Sequence, residues 1–373
     1  MASRPTDIVV VGAGIVGCAV ACELARRGAS VQLVDERQAG MGATQASAGV
    51  LAPYIEATAD SPLLDLAVRS LDLFDDFVTR TSSASGVAVP YRRTGTLDVA
   101  LQEGAMGKLR ATAALLASRD VAADIVDGHA ARGEEPHLTG DVVGGLLIPA
   151  HGYVAAGDLT RALAASARRH GTQVIEGGRV VRITPAGGDM LVATERGTLT
   201  GNAVVLAAGS WSGQIDIAGL AARVPVRPVR GQLLRLAWSG ATLRRTTWSD
   251  RCYLVPWDDG TLLVGATVEE AGFDERATVA GVRDLLEAAC DLVPHAWTAG
   301  FAGARAGLRP ATPDDLPIVG ASKVLPNLFY ATGHYRNGVL LAPLTAELVA
   351  DAMLDGRIDP ALAALSPQRF GDL

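Results

Sequence analysis

The chain has 373 residues, a formal net charge of −7 and a pI of about 5.4, with 49% hydrophobic and 20% charged residues. This composition is typical of a soluble globular protein, and the length favours two domains over one small core. The acidic balance and the scattered arginine pairs argue against a nucleic-acid partner, and no charge-free apolar stretch is long enough to span a bilayer.

The N-terminus lacks the pattern of a signal peptide, so we expect a cytoplasmic protein in a reducing compartment. Cys18 and Cys22 lie four residues apart on a predicted helix, and Cys252 and Cys290 are distant in sequence. The first pair could belong to a metal site, but two buried small apolar side chains is the favoured interpretation. The six histidines show no ligand spacing such as HExxH, so no metal is predicted.

The first elements in chain order form a βαβ unit. Residues 8–11 are all apolar, as in a strand buried on both faces of a parallel sheet. The sequence GAGIVG (residues 12–17) follows, and then a helix that ends at Arg26-Arg27-Gly28. A second strand, residues 30–34, ends on Asp35 and Glu36.

Sequence patterns typical of parallel strand–helix units recur in the middle and at the end of the chain. Between them lie patterns typical of antiparallel strands. We predict helices over 60–80, 103–123, 157–171 (with Asp158 as its N-cap) and 278–292. Strands are predicted over 95–100, 172–176 and 203–207, and residues 225 to 273 show strand-like alternation. The chain closes with a predicted strand, a glycine turn and a helix. The pattern favours an α/β (α+β) fold in which a Rossmann-like domain is built from discontinuous segments and an antiparallel sheet domain is inserted. We assign residues 1–85, 151–220 and 306–373 to the first domain, and 86–150 and 221–305 to the second.

The glycines of GAGIVG have the spacing of a dinucleotide-binding turn. Gly12 makes the tight turn, Gly14 lets the backbone approach a pyrophosphate, and Gly17 allows close packing of helix on strand. The phosphates then face the helix N-terminus, and Asp35 is placed to accept hydrogen bonds from a ribose. The alternative is a glycine-rich turn without a ligand.

Two further strand-to-glycine elements distinguish FAD from NAD as the cofactor. They are AVVLAAGSW, with Gly209, and a third element at the C-terminus. A simple NAD dehydrogenase has no need of a third element of this kind. An extended dinucleotide that carries an isoalloxazine at its far end does need it. The sequence therefore predicts FAD as the cofactor.

Seven stretches resemble the FAD-dependent glycine oxidases of the D-amino-acid oxidase and sarcosine oxidase superfamily, which feed thiamine thiazole synthesis. In order they are VVVGAGIVG, QASAGVLAP, VVLAAGSWSG, CYLVP, LLVGATVEEAGFD, AGLRPATPDDLPIVG and ATGHYRNGVLLAP. The resemblance runs from about Asp7 to Gly356, and the combination of GLRP with GHYRNG is its specific part.

The resemblance implies which residues lie along a non-covalent FAD. These are Ile15, Val16, Asp35, Glu36, Ala43, Thr44, Ala48, Gly49, Val50, Val180 and the stretch His334, Tyr335, Arg336, Asn337, Gly338, Val339 and Leu340. The last stretch would surround the flavin ring, where a helix N-terminus favours the negative charge of reduced flavin. His334 is interpreted as positioning the backbone and not as a base.

Arg309, in GLRP, is the predicted carboxylate-binding residue, because the planar guanidinium suits a carboxylate and its neighbours are apolar. The alternative is a structural salt bridge to Asp314 or Asp315. Tyr253 would add a hydroxyl to the same carboxylate, or else be an ordinary strand tyrosine. Arg336 would contact the substrate or brace the flavin loop, and both interpretations stay open.

The implied activity is the oxidation of glycine, sarcosine or a small D-amino acid with oxygen as the acceptor, which gives the imine or 2-oxo acid, ammonia or an amine, and hydrogen peroxide. A homotetramer is also implied. Trp257 and Val50 depart from the residues common in the family, arginine and methionine, and affect the expected size of the substrate. The stretch AGLRPA holds no cysteine for a covalent flavin.

Three alternatives remain on the sequence alone. A flavin amine dehydrogenase subunit, of an opine or cyanide-forming complex, would keep Arg309 and pass electrons to a partner. A non-catalytic FAD-binding subunit would not need the polar residues of GHYRNG and GLRP. An NAD-dependent dehydrogenase would be colourless when purified.

Overall fold

The computed structural model describes residues 7–55, 57 and 59–373. Positions 1–6, 56 and 58, which fall in the first segment predicted to bind FAD, lie outside the described residues. In chain order, the helices of the described part are α1 Ile15–Arg26, α2 Pro62–Asp72, α3 Phe74–Ser85, α4 Glu103–Ser118, α5 Gly128–Glu134, α6 Ala156–Arg169, α7 Val279–Leu292, α8 Gly338–Ala350 and α9 Leu362–Leu365.

The strands belong to four sheets. They are β1 Ile8–Val11, β2 Val31–Asp35, β3 Val50–Leu51, β4 Tyr91–Arg92, β5 Thr96–Ala100, β6 Asp124–Asp127, β7 Gly144–Ile148, β8 Gly152–Val154, β9 Gln173–Glu176, β10 Val180–Ala186, β11 Asp189–Thr194, β12 Gly197–Gly201, β13 Ala203–Leu206, β14 Asp216–Ile217, β15 Arg227–Ala237, β16 Thr246–Trp248, β17 Tyr253–Pro256, β18 Thr261–Gly265, β19 Gly300–Ala311, β20 Ile318–Ala321 and β21 Leu328–Thr332.

The first sheet is six-stranded, in the order β20-β21-β13-β1-β2-β9, and only β20 runs antiparallel to its neighbour. Its central strand β1 is buried at every residue, as its apolar sequence predicts. Helices α1, α6 and α8 cover one face, and strands of the four-stranded sheet β12-β11-β10-β14 contribute to the core on the other. The carboxyl ends of β1, β2 and β13 therefore meet at one edge.

The second large sheet is eight-stranded, in the order β19-β15-β18-β17-β16-β5-β7-β6, and antiparallel apart from the pair β5–β16. One face packs on α7 and α5 around Leu234, Leu254 and Val264. Part of the other face packs on α4. The fold is thus the predicted mixture of a parallel nucleotide-type sheet and a mainly antiparallel sheet.

Strand β19 joins the two halves of the molecule. It is a full strand of the eight-stranded sheet, yet Leu308 accepts a hydrogen bond at its carbonyl from Ser210 Oγ (2.9 Å), and Arg305 donates to the carbonyl of Gln45 (3.2 Å). The domain boundary predicted between residues 305 and 306 falls inside this strand. Arg309 therefore projects from the eight-stranded sheet, and the division into domains stays a prediction.

The helix predicted over 60–80 is two helices, because α2 packs against α8 while α3 packs against α6, and the chain bends at Leu73 between them. The helix predicted over 103–123 ends at Ser118, and Asp120 follows in the left-handed region with φ of 54°. Asp158 lies in the first turn of α6 and is not its N-cap, which is Ala155.

All four cysteines are buried free thiols. For Cys18 and Cys22 this confirms the interpretation as buried small residues. Within the described ranges no cluster of histidine, cysteine, aspartate and glutamate has the arrangement of a metal site. In the same part of the chain, no helix has the length and apolar character needed to cross a membrane.

His151 is expected to make the stability of the fold depend on pH. Its ring is fully buried, Nε2 accepts a hydrogen bond from the amide of Tyr54 (3.4 Å), and Nδ1 lies 2.7 Å from Thr96 Oγ1. Burial lowers the pKa of His151 to about 3. Because an unfolded histidine keeps a pKa near 6.5, the unfolded state binds the proton below that pH and the folded state does not.

The free energy of unfolding is therefore expected to decrease as the pH falls from 7 to 5, with His151 contributing about 2 kcal/mol of the loss. Chemical denaturation of the wild type and of His151→Gln at both pH values measures this contribution. The variant should lose about 2 kcal/mol less than the wild type over this interval. An equal loss in the two proteins would show that His151 does not carry the effect.

Candidate cofactor and substrate site

A cavity of about 330 Å³ connects the two large sheets. At one end its wall is formed by the carboxyl ends of β1 and β2, with Gly12 and Asp35. At the other end the wall is formed by Tyr253, Arg309 and Trp248 of the eight-stranded sheet. Its volume lies in the range of small-molecule and cofactor sites.

The glycines of GAGIVG take up the three positions that their spacing predicts. Gly12 has φ of 105°, and a Cβ there would meet the backbone of Ala207 and Ala208. A Cβ at Gly14 would have Thr44 Oγ1, 3.8 Å away, as its only near atom, and Gly14 lines the cavity. Gly17 lies in α1 against the carbonyl of Gly12, away from the cavity wall. Gly12 thus makes the tight turn, Gly14 leaves room for a ligand to approach the backbone, and Gly17 allows the helix to pack closely on the strand.

Asp35 fixes the shape of this end of the cavity. Its Oδ2 accepts a hydrogen bond from the amide of Ala13 (2.6 Å), and its Oδ1 accepts one from the amide of Arg37 (2.7 Å). Burial raises the pKa of Asp35 above its usual value, although these amide hydrogen bonds oppose the shift. Each oxygen keeps a further lone pair, so the carboxylate can still accept from a ribose hydroxyl.

The turn between β21 and α8 forms the part of the wall that contacts the eight-stranded sheet. Gly333 and Tyr335 have positive φ values of 74° and 46°, and the amide of Tyr335 donates to the carbonyl of Pro310 (2.9 Å). This hydrogen bond ties the turn to β19 next to Arg309. The sequence His334–Leu340 consequently faces the cavity as the first turn of α8 begins at Gly338.

His334 is a structural residue of this turn. It is 3% exposed, and its Nε2 lies 3.0 Å from Thr345 Oγ1 in α8. Burial lowers the pKa of His334 to about 3, so the ring is neutral at physiological pH. A neutral, hydrogen-bonded imidazole of such low pKa is a poor general base.

Arg309 and Tyr253 come to the same end of the cavity from different strands. The Arg309 guanidinium donates to the carbonyl of Thr267 (2.8 Å). The Tyr253 ring stacks on Trp248, with centroids 4.5 Å apart and an interplanar angle of 27°. Asp314, one of the two alternative partners considered for Arg309, accepts hydrogen bonds from Arg369 at both of its oxygens.

The structure brings nearly all the predicted site residues to this one cavity. Tyr253, Arg309 and Arg336 line it, together with Gly12, Gly14, Ile15, Val16, Asp35, Glu36, Ala43, Thr44, Ala48, Gly49, Val50, Val180, Gly209, His334, Tyr335, Asn337, Gly338, Val339 and Leu340. Arg336 is exposed and lies at the cavity mouth. Whether these residues have the predicted roles stays a prediction.

The sequence did not point to Trp248, Trp211 and Arg37, which also line the cavity. The Arg37 guanidinium lies 4.7 Å from the centroid of the Trp211 ring and forms a two-pronged salt bridge with Glu275 (2.7 and 2.9 Å). Arg37 directly follows Asp35 and Glu36, and Trp211 lies within VVLAAGSWSG, but neither was assigned a role. Only the tryptophans offered a signal, since a large aromatic residue beside a candidate motif is a reasonable wall residue.

Residues 7–352 match the family model described as FAD dependent oxidoreductase (DAO). The chain belongs to this family.

Several relatives are similar over almost the whole chain. The bifunctional protein ThiO/ThiG of Synechocystis is 35% identical over 98% of this chain and 54% of its own length. Glycine oxidase of Geobacillus kaustophilus is 33% identical over 92% of both chains. A crystal structure of that glycine oxidase superposes with a TM-score of 0.93 at 33% identity, covering 98% of this chain and 99% of the other. The chain thus spans about half the length of its bifunctional relatives.

FAD is the cofactor of this family of oxidoreductases, and the cavity fits it. The open space over Gly14 suits a pyrophosphate at the N-terminus of α1, where first-turn amides lack partners within the helix. Asp35 is placed to accept hydrogen bonds from the ribose of FAD. The N-terminus of α8 suits the flavin ring, which gains negative charge on reduction. In the part of the chain that the structure describes, no cysteine lines the cavity, in keeping with the prediction of non-covalent binding.

The two departures from the family pattern lie in different places. Val50 lines the cavity. Trp257 is not among the described residues that line it, and its ring packs edge-on against Tyr153 with centroids 4.8 Å apart. Val50 is therefore the departure that can change the shape of the site directly.

Proposed function

We propose that this chain is an FAD-dependent oxidase of glycine and related small amines that carry a carboxylate. The observation that carries the proposal is the position of Arg309 and Tyr253 at one end of the same cavity whose other end holds Gly12, Gly14 and Asp35. The names of the relatives support glycine as a substrate, and sarcosine, D-alanine and D-proline share its carboxylate and amine. The product would feed thiamine thiazole synthesis.

The side chains of this protein bind and orient the substrate in the proposed reaction. The Arg309 guanidinium can donate to a carboxylate in a two-pronged arrangement, and the Tyr253 hydroxyl can add a third hydrogen bond. The carboxylate would thus be fixed at one end, so that the amine-bearing carbon points into the cavity. Such orientation is a large part of catalysis in this kind of site.

FAD supplies the electron acceptor for amine oxidation when it is bound, and oxygen then receives the electrons and becomes hydrogen peroxide. The imine product reacts with water to release ammonia, or methylamine from sarcosine. The neutral His334 is not needed as a base if the amine enters uncharged. Trp248, Tyr253 and Val50 line the same cavity, and their side chains would limit the access of water around the substrate carbon.

A comparison of substrates tests the proposal. The purified yellow protein should consume oxygen with glycine, and the panel of sarcosine, D-alanine and D-proline should define the tolerated size. Methylamine lacks the carboxylate and should be oxidised about 100-fold less efficiently, because the contacts of a buried charge pair are worth about 3 kcal/mol. Equal rates with glycine and methylamine would contradict carboxylate recognition.

A different result would support one of the alternatives. Flavin reduction without oxygen consumption would indicate a dehydrogenase that uses another acceptor. Bound FAD that no amine reduces would indicate a non-catalytic subunit.

We further propose that the protein is a cytoplasmic homotetramer. Sedimentation equilibrium measures the number of subunits.

A further inference from the structure

Two glycines of the eight-stranded sheet, Gly231 on β15 and Gly265 on β18, lie directly beneath the side chains of Arg309 and Tyr253. Both glycines are buried. A Cβ on Gly231 would lie closer than 3.0 Å to the Arg309 guanidinium, a separation that real Cβ atoms essentially never show. A Cβ on Gly265 would lie equally close to the phenol end of Tyr253.

The register of the sheet explains these positions. Tyr253 is paired with Gly265, and on its other side with Trp248. Arg309 is paired with Val229, and Gly231 is the next residue of β15 on the same face. Side chains of strands usually stand nearly perpendicular to the sheet. Here the guanidinium and the phenol end lie low over the sheet, in the space that the missing Cβ atoms leave.

We infer that Gly231 and Gly265 are positioning residues, which set the height of the Arg309 guanidinium and of the Tyr253 hydroxyl above the sheet and so define where a substrate carboxylate binds. Tyr253 lies between the Trp248 ring and the backbone of Gly265. Arg309 lies over Gly231 and donates to the carbonyl of Thr267.

A network behind Thr267 holds that carbonyl in place. Thr267 Oγ1 donates to Glu269 (2.5 Å) and accepts from the amide of Gln232 (2.9 Å). Glu269 also accepts from the buried Arg230 (2.6 Å) and from the side chain of Gln232 (2.7 Å). Gln232 follows Gly231 in β15. The same strand therefore leaves room for the Arg309 guanidinium and holds Thr267, whose carbonyl accepts the hydrogen bond from Arg309. A guanidinium pushed upward would lose this acceptor.

The substitution Gly231→Ala tests the inference with little risk to the fold. The added Cβ meets the far end of a flexible side chain, so the guanidinium can move while the backbone stays. Gly300→Ala, on β19, is the matched control: a Cβ there has its nearest neighbour at an ordinary 3.5 Å. We expect kcat/KM for glycine to fall about 100-fold in Gly231→Ala, because a shift of about 1 Å has effects of that size. The control should keep the wild-type value.

A double-mutant cycle shows whether the effect passes through Arg309. In the Arg309→Ala background, Gly231→Ala should change kcat/KM by less than about 2-fold, because the displaced group is absent. A further 100-fold fall there would overturn the inference. If Gly231→Ala fails to fold, restoration of folding by Arg309→Ala supports the inference, and failure of the double variant to fold contradicts it.

The kinetic measurements rest on the proposed function, but a crystal structure of Gly231→Ala does not. The Arg309 guanidinium should be displaced by about 1 Å or more, consistent with the contact that the new Cβ would make. An unmoved guanidinium overturns the inference whatever the enzyme oxidises. A displaced guanidinium in a protein whose wild type oxidises no amine would support the positioning role and contradict the proposed function.

Discussion

Arg309→Ala is expected to lower kcat/KM for glycine by about 100-fold or more, without loss of FAD. The guanidinium is half-buried at the end of the cavity and donates to the carbonyl of Thr267. Removing one partner of a hydrogen-bonded charge pair in such a site costs about 3 kcal/mol, which corresponds to about 100-fold. Steady-state kinetics with glycine, and the flavin absorbance of the purified variant, measure the two parts of this expectation.

Arg305→Ala is the matched control for this prediction. Arg305 lies on the same strand and the same face of the sheet, but it is exposed and donates to the carbonyl of Gln45. The Arg305→Ala substitution also deletes an arginine from β19. It should leave kcat/KM within about 2-fold of the wild-type value, because exposed polar contacts contribute little to binding or stability. Equal losses in both variants would mean that the net charge of the strand matters and that Arg309 has no specific role.

The second large effect is expected from Gly14→Ala, which should weaken FAD binding by about 10-fold while the apoprotein keeps its melting temperature. The added Cβ has no neighbour closer than 3.8 Å, so the fold tolerates it. It occupies the space through which a pyrophosphate approaches the N-terminus of α1, and one lost hydrogen bond to a charged phosphate costs about 1.5 kcal/mol. Fluorescence titration of the apoprotein with FAD measures this affinity.

Gly12→Ala provides the contrast. Gly12 has φ of 105°, and its Cβ would meet backbone atoms of the neighbouring β13 connection, which cannot move as a flexible side chain can. We expect a loss of stability of about 3 kcal/mol or more and little soluble protein. If Gly14→Ala binds FAD like the wild type, the pyrophosphate does not lie over Gly14.

The dinucleotide turn could be predicted from sequence because its signal is local. The apolar strand, the three glycines, the helix and Asp35 follow one another within about thirty residues. Arg309 and Tyr253 were identified through the resemblance of GLRP and CYLVP to glycine oxidases. The structure adds that both reach the cavity that the glycine turn lines.

The positions of Gly231 and Gly265 could not be assigned in advance, because they depend on the register between strands. Gly231 and Arg309 are distant in sequence and meet only because β15 pairs with β19. A glycine within a strand pattern signals a close approach by another group, but it does not say which group approaches. The bend at Leu73 between α2 and α3 was likewise hidden, since it follows from packing on α8 and α6.

The most direct test of the central claim is the addition of glycine to the purified flavoprotein without oxygen, followed by the admission of oxygen. We expect the visible absorbance of oxidised flavin to disappear with glycine. Once unreacted glycine has been removed, the absorbance should return with about one equivalent of hydrogen peroxide per flavin when oxygen is admitted. An absorbance that stays unchanged at high concentrations of glycine, sarcosine, D-alanine and D-proline would contradict the account.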